Sequence, residues 1–309
     1  MDIEGAIDSA VAEVGTALLG KEAQIRLALC CLLSRGHLLI EDLPGMGKTT
    51  LSHALAAVLG LSYKRVQFTS DLLPADILGV SVYNRNDGSF TFHPGPVFTQ
   101  VLLADEINRT TPRTQSALLE AMAEGQVTIE GETRRLPRPF FVIATQNPIH
   151  QSGTYPLPES QLDRFLMRLH LGYPDPQAER QMLLNTTAGE DPEAALQRCL
   201  TPEELESCRA ATSQVHVADS VLDYLQRLVA FTRERAEFAV GLSPRGALAL
   251  LDCARTWAFM NRRQHIVPED LQAVLAAVAA HRLVPSGDYA GDGHALVDLM
   301  QRSVDVIRS

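Results

Sequence analysis

The stretch that most limits what this chain can become runs from His37 to Thr50. Leu38-Leu39-Ile40 is an apolar run, Glu41-Asp42-Leu43-Pro44-Gly45-Met46-Gly47-Lys48-Thr49-Thr50 interrupts it with two glycines, and Leu51, Leu55, Val58 and Leu59 then recur at helical spacing. Strand, loop, helix is the order this pattern predicts. Glycines at 45 and 47 let the backbone curl so that successive N–H groups face one anion, and the following helix aims the positive end of its dipole at the same place. Such a loop is suited to phosphate. Lys48 would reach the β- and γ-phosphates of a nucleotide, Thr49 would offer its hydroxyl to Mg²⁺, and Gly45, Met46, Gly47 and Thr50 would complete the loop. The strict spacing G-x-x-x-x-G-K-[ST] wants glycine where this chain has Asp42, so the match is incomplete at its first position.

Composition narrows the setting. The 309 residues suffice for two domains, and 46% hydrophobic with 21% charged residues is the balance of a soluble globular chain with a sizeable core. A formal net charge of -10 argues against a dedicated nucleic-acid binder, whose footprint is a surplus of Lys and Arg. Cys30, Cys31, Cys199, Cys208 and Cys253 are odd in number and lack C-x-x-C or Cys/His ligand spacing, which reads as reduced thiols in a cytoplasmic protein. The acidic start Met1-Asp2-Ile3-Glu4 is followed by no signal-type apolar core, and the longest apolar stretch, Leu27 to Leu33, is too short to span a bilayer. No membrane span is expected.

Taken in order, Ile3, Ile7, Val11, Val14 and Leu18 mark one helix, and a second runs from Lys21 to Ser34 after a break at Gly20. The connection around Gly20 either holds the base of a nucleotide, by analogy with many nucleotide-binding ATPases, or is a plain helix-helix turn. Strands are predicted at Tyr63 to Thr69 and at Val101-Leu102-Leu103-Ala104-Asp105-Glu106, an apolar run ending in two acids, with Asp105 suited to Mg²⁺ and Glu106 to a water. Between them lies a hairpin about Asn86-Asp87-Gly88, and a second hairpin about Glu130-Gly131-Glu132 follows a helix from Thr114 to Ala123. Phe140 to Thr145 is a further buried strand that delivers Asn147 at its end, as a ligand contact or as a turn former before Pro148. A short helix, Ser160 to Phe165, and a last strand, Leu166 to Leu171, lead to the break Gly172-Tyr173-Pro174-Asp175-Pro176, which sets the boundary between domains 1–174 and 175–309. Only helical patterns follow, with starts at Ser243-Pro244 and Val267-Pro268.

These motifs resemble those of the AAA+ ATPases, and within them the MoxR family. The carrying residues are Glu41 to Thr50 (Walker A), Leu103-Ala104-Asp105-Glu106-Ile107-Asn108-Arg109 (Walker B), Ala144-Thr145-Gln146-Asn147-Pro148 (sensor 1), Leu157 to Phe165, and Gly241-Leu242-Ser243-Pro244-Arg245-Gly246. The resemblance implies an α/β fold, an αβα P-loop domain with a five-stranded parallel sheet followed by an all-α lid, assembled into a homo-oligomeric ring, usually a hexamer. It implies ATP and Mg²⁺ as cofactors. Lys48 would hold phosphate, Thr49 and Asp105 the Mg²⁺, Glu106 would polarise the attacking water and Asn147 would fix it. Arg164 resembles the arginine finger given to a neighbour's site, with Arg168 and Arg109 as rivals, and Arg245 resembles sensor 2, reading the γ-phosphate within its own subunit. An intrachain ion pair is the alternative for both arginines.

Family resemblance also supplies the expected work: chaperone-like remodelling or maturation of protein complexes, including metal-cofactor insertion, with a von Willebrand factor A domain protein as partner. The alternative is a nucleic-acid-acting AAA+ motor of helicase type, against which the net charge of -10 counts although Arg134-Arg135 on a hairpin could line a pore.

Overall fold

The computed structural model describes residues 3–85, 88–147, 153–186, 195–287 and 289–306. Helices α1 (Ile3–Ala17) and α2 (Glu22–Leu33) lead into β1 (Leu38–Glu41) and α3 (Lys48–Val58). Next come β2 (Tyr63–Gln67), α4 (Pro74–Leu78) and the hairpin of β3 (Gly79–Asn84) with β4 (Ser89–Pro94). After β5 (Val101–Asp105) and a 3-10 turn at Ile107–Arg109, α5 (Pro112–Glu124) precedes a second hairpin, β6 (Gln126–Ile129) with β7 (Glu132–Arg135). The sequence then supplies β8 (Phe141–Gln146), α6 (Glu159–Leu162) and β9 (Met167–Leu169).

Strands β2, β5, β8, β1 and β9 lie side by side in that order, all parallel. Successive side chains of a strand face opposite ways, so a sheet covered on both faces needs apolar residues at every position. Leu38, Ile40, Val101, Leu103, Phe141 and Ile143 enter the core on one face. Leu39, Leu102, Ala104, Val142 and Ala144 enter a second core on the other. That double burial is why these runs alternate so little in polarity. Register brings Gln67 beside Asp105 and Glu41 beside Gln146, so the polar carboxyl ends of the strands gather along one edge.

The remaining chain is helical: α7 (Pro176–Thr186), α8 (Pro202–Thr212), α9 (Asp219–Glu234), α10 (Pro244–Met260), α11 (Pro268–Ala279) and α12 (Gly293–Ser303). Thr201 and Glu204 form a reciprocal capping box at the start of α8, and Ser243 Oγ accepts the Gly246 N–H at 3.1 Å where α10 begins with Pro244. The structure adds a small antiparallel ribbon, β10 (Phe238–Val240) with β11 (Val284–Pro285), to this half. Its strands are too short to carry a period that sequence reading could detect. Of the expected positions, Met1, Asp2, Asn86, Asp87 and Pro148 lie outside the described residues.

Where the helices dock matters for the site. Ser34 Oγ donates to Thr256 Oγ1 at 2.8 Å, and Arg209 donates twice to the Leu32 carbonyl, at 2.7 and 3.2 Å, so α10 and α8 sit on α2. Arg282, only 5% exposed, reaches Asp163 Oδ1 at 2.7 Å and the Phe165 and Leu166 carbonyls at 2.8 and 3.0 Å. One apolar core runs continuously from Ile7 and Val14 through Leu29 and Leu32 to Leu250, Leu275 and Met300.

Candidate active site

Between β1 and α3 the backbone takes the conformation that the glycines permit. Gly45 and Gly47 have φ of 83° and 86°, the left-handed region, and Gly47 is the residue from which α3 starts. A Cβ at Gly47 would stand 2.5 Å from Leu18 Cδ1, a side-chain tip that can yield, so it is the left-handed φ that reserves the position for glycine. Lys48, nearly buried, donates from Nζ to the Asp42 carbonyl at 2.7 Å and to Asn147 Oδ1 at 3.3 Å. Burial draws the Lys48 ammonium below its ordinary pKa, while the charges of Asp105, Asp42 and Glu106 oppose that shift. A cavity of about 490 Å³ opens over the loop, lined by Gly45, Met46, Gly47, Lys48, Thr49 and Thr50.

The strand ends supply the rest of the lining: Asp105, Glu106 and Asn147. Glu106 has φ of 57°, which a non-glycine residue holds only when its surroundings determine it. Those surroundings are explicit. The Glu106 N–H donates to Thr145 Oγ1 at 2.8 Å, and the same hydroxyl donates to Asp105 Oδ1 at 2.6 Å. Asn147 Nδ2 donates to Glu106 Oε1 at 2.8 Å, Gln67 Nε2 to Glu106 Oε2 at 2.7 Å, and Arg109 Nη1 to Glu106 Oε2 at 2.9 Å. Asp105 Oδ2 receives Arg65 from both Nη2, at 2.6 Å, and Nε, at 3.2 Å. Thr49 and Asp105 are hard oxygen donors of the kind Mg²⁺ takes alongside water and phosphate, and both face the cavity. The donor set therefore fits the ion.

Sequence alone does not single out Thr145, Gln67 and Arg65 as parts of the site. Their signal is faint: Arg65 and Gln67 are long polar side chains two apart on an edge strand, a spacing that puts both on the face that Asp105 shares. Only the pairing of β2 with β5 gives the spacing a meaning.

Other expected residues lie elsewhere. Leu18, Leu19 and Lys21 line the cavity over the loop, and with Gly20 they also line an adjoining hollow beside α1 and α2. A Cβ at Gly20 would come within 2.8 Å of both Asp175 Oδ2 and Ala178 Cβ, so glycine there permits close approach of the α7 start. Arg245 also lies away from the loop. It stands 4.0 Å from Asp163 and lines a second cavity, about 260 Å³, together with Arg35, Arg164 and Arg282. It does not line the cavity over Lys48. The helices that carry Arg245 dock on α2 and the 163–166 turn rather than over the loop.

Among the rival arginines, Arg168 is paired with Glu41 at 3.2 Å and Arg109 with Glu106, both inside the chain. Arg164 donates from Nη1 to the Leu119 carbonyl at 2.6 Å. Sequence reading misses Arg282, whose hydrogen bonds to residues 163, 165 and 166 hold the turn that carries Arg164. Away from these cavities, the β3–β4 hairpin exposes Tyr83 and Phe90, and Arg134 of the second hairpin lies 4.1 Å over the Phe92 ring. Among the described residues, no group of three or more His, Cys, Asp or Glu could hold a metal ion, and no helix is long and apolar enough to cross a membrane.

Comparison with known proteins agrees with this geometry. Residues 37–167 match the ATPase family associated with various cellular activities (AAA), and residues 230–301 match the AAA lid domain. The chain is 41% identical over 308 residues to the uncharacterized protein YeaC of Bacillus subtilis, covering 99% of this chain and 96% of that one. Identity is 40% over 296 residues with the chaperone MoxR1 of Mycobacterium tuberculosis, 93% of this chain and 78% of that one. Protein MoxR of Paracoccus denitrificans is 34% identical over 311 residues, 93% of this chain and 91% of that one. A crystal structure from Cytophaga hutchinsonii, assigned as an ATPase, superposes with a TM-score of 0.90 at 34% identity, over 99% of this chain and 96% of that chain. Likeness of this extent covers both halves of the molecule, and the chain belongs to the MoxR family of AAA+ ATPases.

Proposed function

We propose that this chain hydrolyses ATP with Mg²⁺ in a ring of its own copies, usually six, and spends the cycle on remodelling or maturing partner protein complexes. The observation that carries the enzymatic part is the convergence of Lys48, Asp105, Glu106 and Asn147 on one cavity, with Lys48, Asn147 and Glu106 joined by direct hydrogen bonds and Asp105 tied in through Thr145. Phosphoryl transfer to water needs positioning and neutralisation of charge more than covalent chemistry. Lys48 and the loop amides hold the phosphates, and Thr49 and Asp105 are placed to hold Mg²⁺. Bound there, the ion neutralises phosphate charge. Glu106 accepts the proton of the attacking water, and Asn147, already bonded to its carboxylate, orients that water.

Arg164 and Arg245 serve a neighbouring copy. Their shared cavity lies apart from their own chain's loop, which supports donation across an interface for both. The boundary between the two working parts falls between residues 174 and 175, after the last strand of the sheet and just before α7. The chaperone reading rests on the name of the Mycobacterium tuberculosis relative. A von Willebrand factor A domain partner and metal-cofactor insertion rest on the motif resemblance alone, and a cytoplasmic setting rests on the pattern of the five cysteines.

Two variants test the enzymatic reading. Glu106→Gln should bind ATP within about threefold of wild type and lose hydrolysis by about 10²–10⁴-fold, the usual share of a general base. Lys48→Ala should lose ATP binding itself. Normal turnover by the Glu106→Gln protein would remove Glu106 from the role. Affinity capture on that variant with ATP present is the route to the remodelled complex.

A further inference from the structure

Arg65 has no place in the roles drawn from the motifs, yet it makes the charged contact to the carboxylate assigned to the metal. Its guanidinium grips Asp105 Oδ2 with two donors, at 2.6 and 3.2 Å. Thr145 occupies the other oxygen. Asp105 is nearly buried, whereas the Arg65 side chain is 48% exposed, comes from an edge strand and lines the same cavity as Lys48 and Thr49. Asp105 is bonded at both oxygens inside the protein, and Arg65 approaches it from the solvent side. A second bond, from Arg65 Nη2 to Gln67 Oε1, is long at 3.5 Å and restrains it little.

Two positive charges cannot comfortably share Asp105 Oδ2 at contact distance. We propose that Arg65 is a resident counter-charge at the metal position: it holds Asp105 and offers its remaining donors to phosphate when no divalent cation is present, and it yields Asp105 when Mg²⁺ enters with nucleotide. Guanidinium suits this exchange because its donors are spread around a plane and can face a carboxylate and a phosphate at once. Without it, a nucleotide entering free of metal would meet Asp105 and Glu106 with Lys48 as the principal cation at the loop. Arg65 thus sets how far nucleotide affinity depends on Mg²⁺. The inference rests on the nucleotide reading of this cavity.

A fluorescent ribose-modified ADP, titrated into the full-length protein in excess EDTA and again in excess Mg²⁺, gives the ratio of the two dissociation constants. In Arg65→Gln that ratio should rise on the order of tenfold, the size expected when one charge-assisted hydrogen bond is removed from the metal-free complex alone. Arg65→Lys, which keeps the charge, should stay within about threefold of wild type. Asp105→Asn supplies the reciprocal test. Freed from its carboxylate, Arg65 should bind metal-free nucleotide at least as well as in wild type while the Mg²⁺ complex weakens, so the ratio should fall. Thermal melting of each variant verifies that it is folded. A ratio unchanged in Arg65→Gln overturns the proposal, whether both affinities hold or both fall together, and so does a ratio that fails to fall in Asp105→Asn. If the wild-type protein binds the probe in neither condition, the nucleotide reading itself is what has failed.

Discussion

Asp42 stands where the strict phosphate-loop spacing has glycine, and its side chain shows what the substitution achieves. One carboxylate oxygen accepts the Leu171 and Gly172 N–H groups at 2.5 and 2.9 Å, while the Asp42 carbonyl takes the Lys48 ammonium at 2.7 Å. The first residue of the loop therefore anchors the chain as it leaves β9. Asp42→Gly, which restores the strict motif, should lower stability by about 2 kcal/mol in urea unfolding, the scale of losing hydrogen bonds to a charged acceptor. Equal stability of the two proteins would show that the anchor does nothing. At this scale the sequence is informative where chemistry is local: Gly45, Gly47, Lys48 and Thr49 lie within a few residues, and Asp105 and Glu106 close one apolar run. It is silent where chemistry is assembled across strands. Thr145 bridges Asp105 and the Glu106 backbone only because β8 pairs with β5, and Gln67 meets Glu106 only because β2 does.

Elements are held in register by residues that sequence reading passes over, and His37 is one of them. Its Nδ1 accepts the Val142 N–H of β8 at 3.0 Å, and its Nε2 lies 3.2 Å from the Met122 carbonyl of α5, so the neutral ring with the proton on Nε2 joins three elements. Burial pushes its pKa from 6.5 down to about 4. The sign follows from linkage: the unfolded chain binds the proton near 6.5 and the folded one only near 4, so the stability that His37 contributes is complete above the first value and drains away as pH falls toward the second. His281, also driven well below its ordinary value by burial and by Arg282, acts in the same sense. A wild-type curve alone cannot separate them. The melting-temperature gap between wild type and His37→Gln should therefore narrow as pH is lowered across that interval, and a gap independent of pH would count against the neutral ring as the joint. Element existence is legible from periodicity and caps, whereas the β10–β11 ribbon is not, because its two strands come from distant stretches that pack beside α9 and α12.

For the whole molecule, the helices of the second half can be read from sequence, but the side on which they dock cannot. That choice depends on Arg209 and Ser34 at α2 and on Arg282 at the 163–166 turn, contacts between residues far apart in the chain. It has a functional consequence, because it carries Arg245 away from its own loop and sets it beside Arg164. If both arginines act on a neighbour, activity depends on assembly, and each single variant should bind ATP while hydrolysing it poorly. Arg164→Ala should lose on the order of 10³-fold, the effect of an arginine finger in related phosphoryl transfers. Subunit mixing decides the direction for each. A Lys48→Ala subunit has a dead loop and intact arginines; an Arg164→Ala subunit has the reverse, so interfaces combining the good halves should regain hydrolysis that neither variant shows alone. The same mixture made with Arg245→Ala discriminates sharply. Should Arg245 serve its own chain's nucleotide, every site would lack either Lys48 or Arg245 and mixing would restore nothing. Should it serve the neighbour, the mixed rings recover as they do for Arg164. In preparations shown to exchange subunits, recovery with Arg164→Ala but none with Arg245→Ala would return Arg245 to its own subunit and require the docked helices to move over the loop during the cycle.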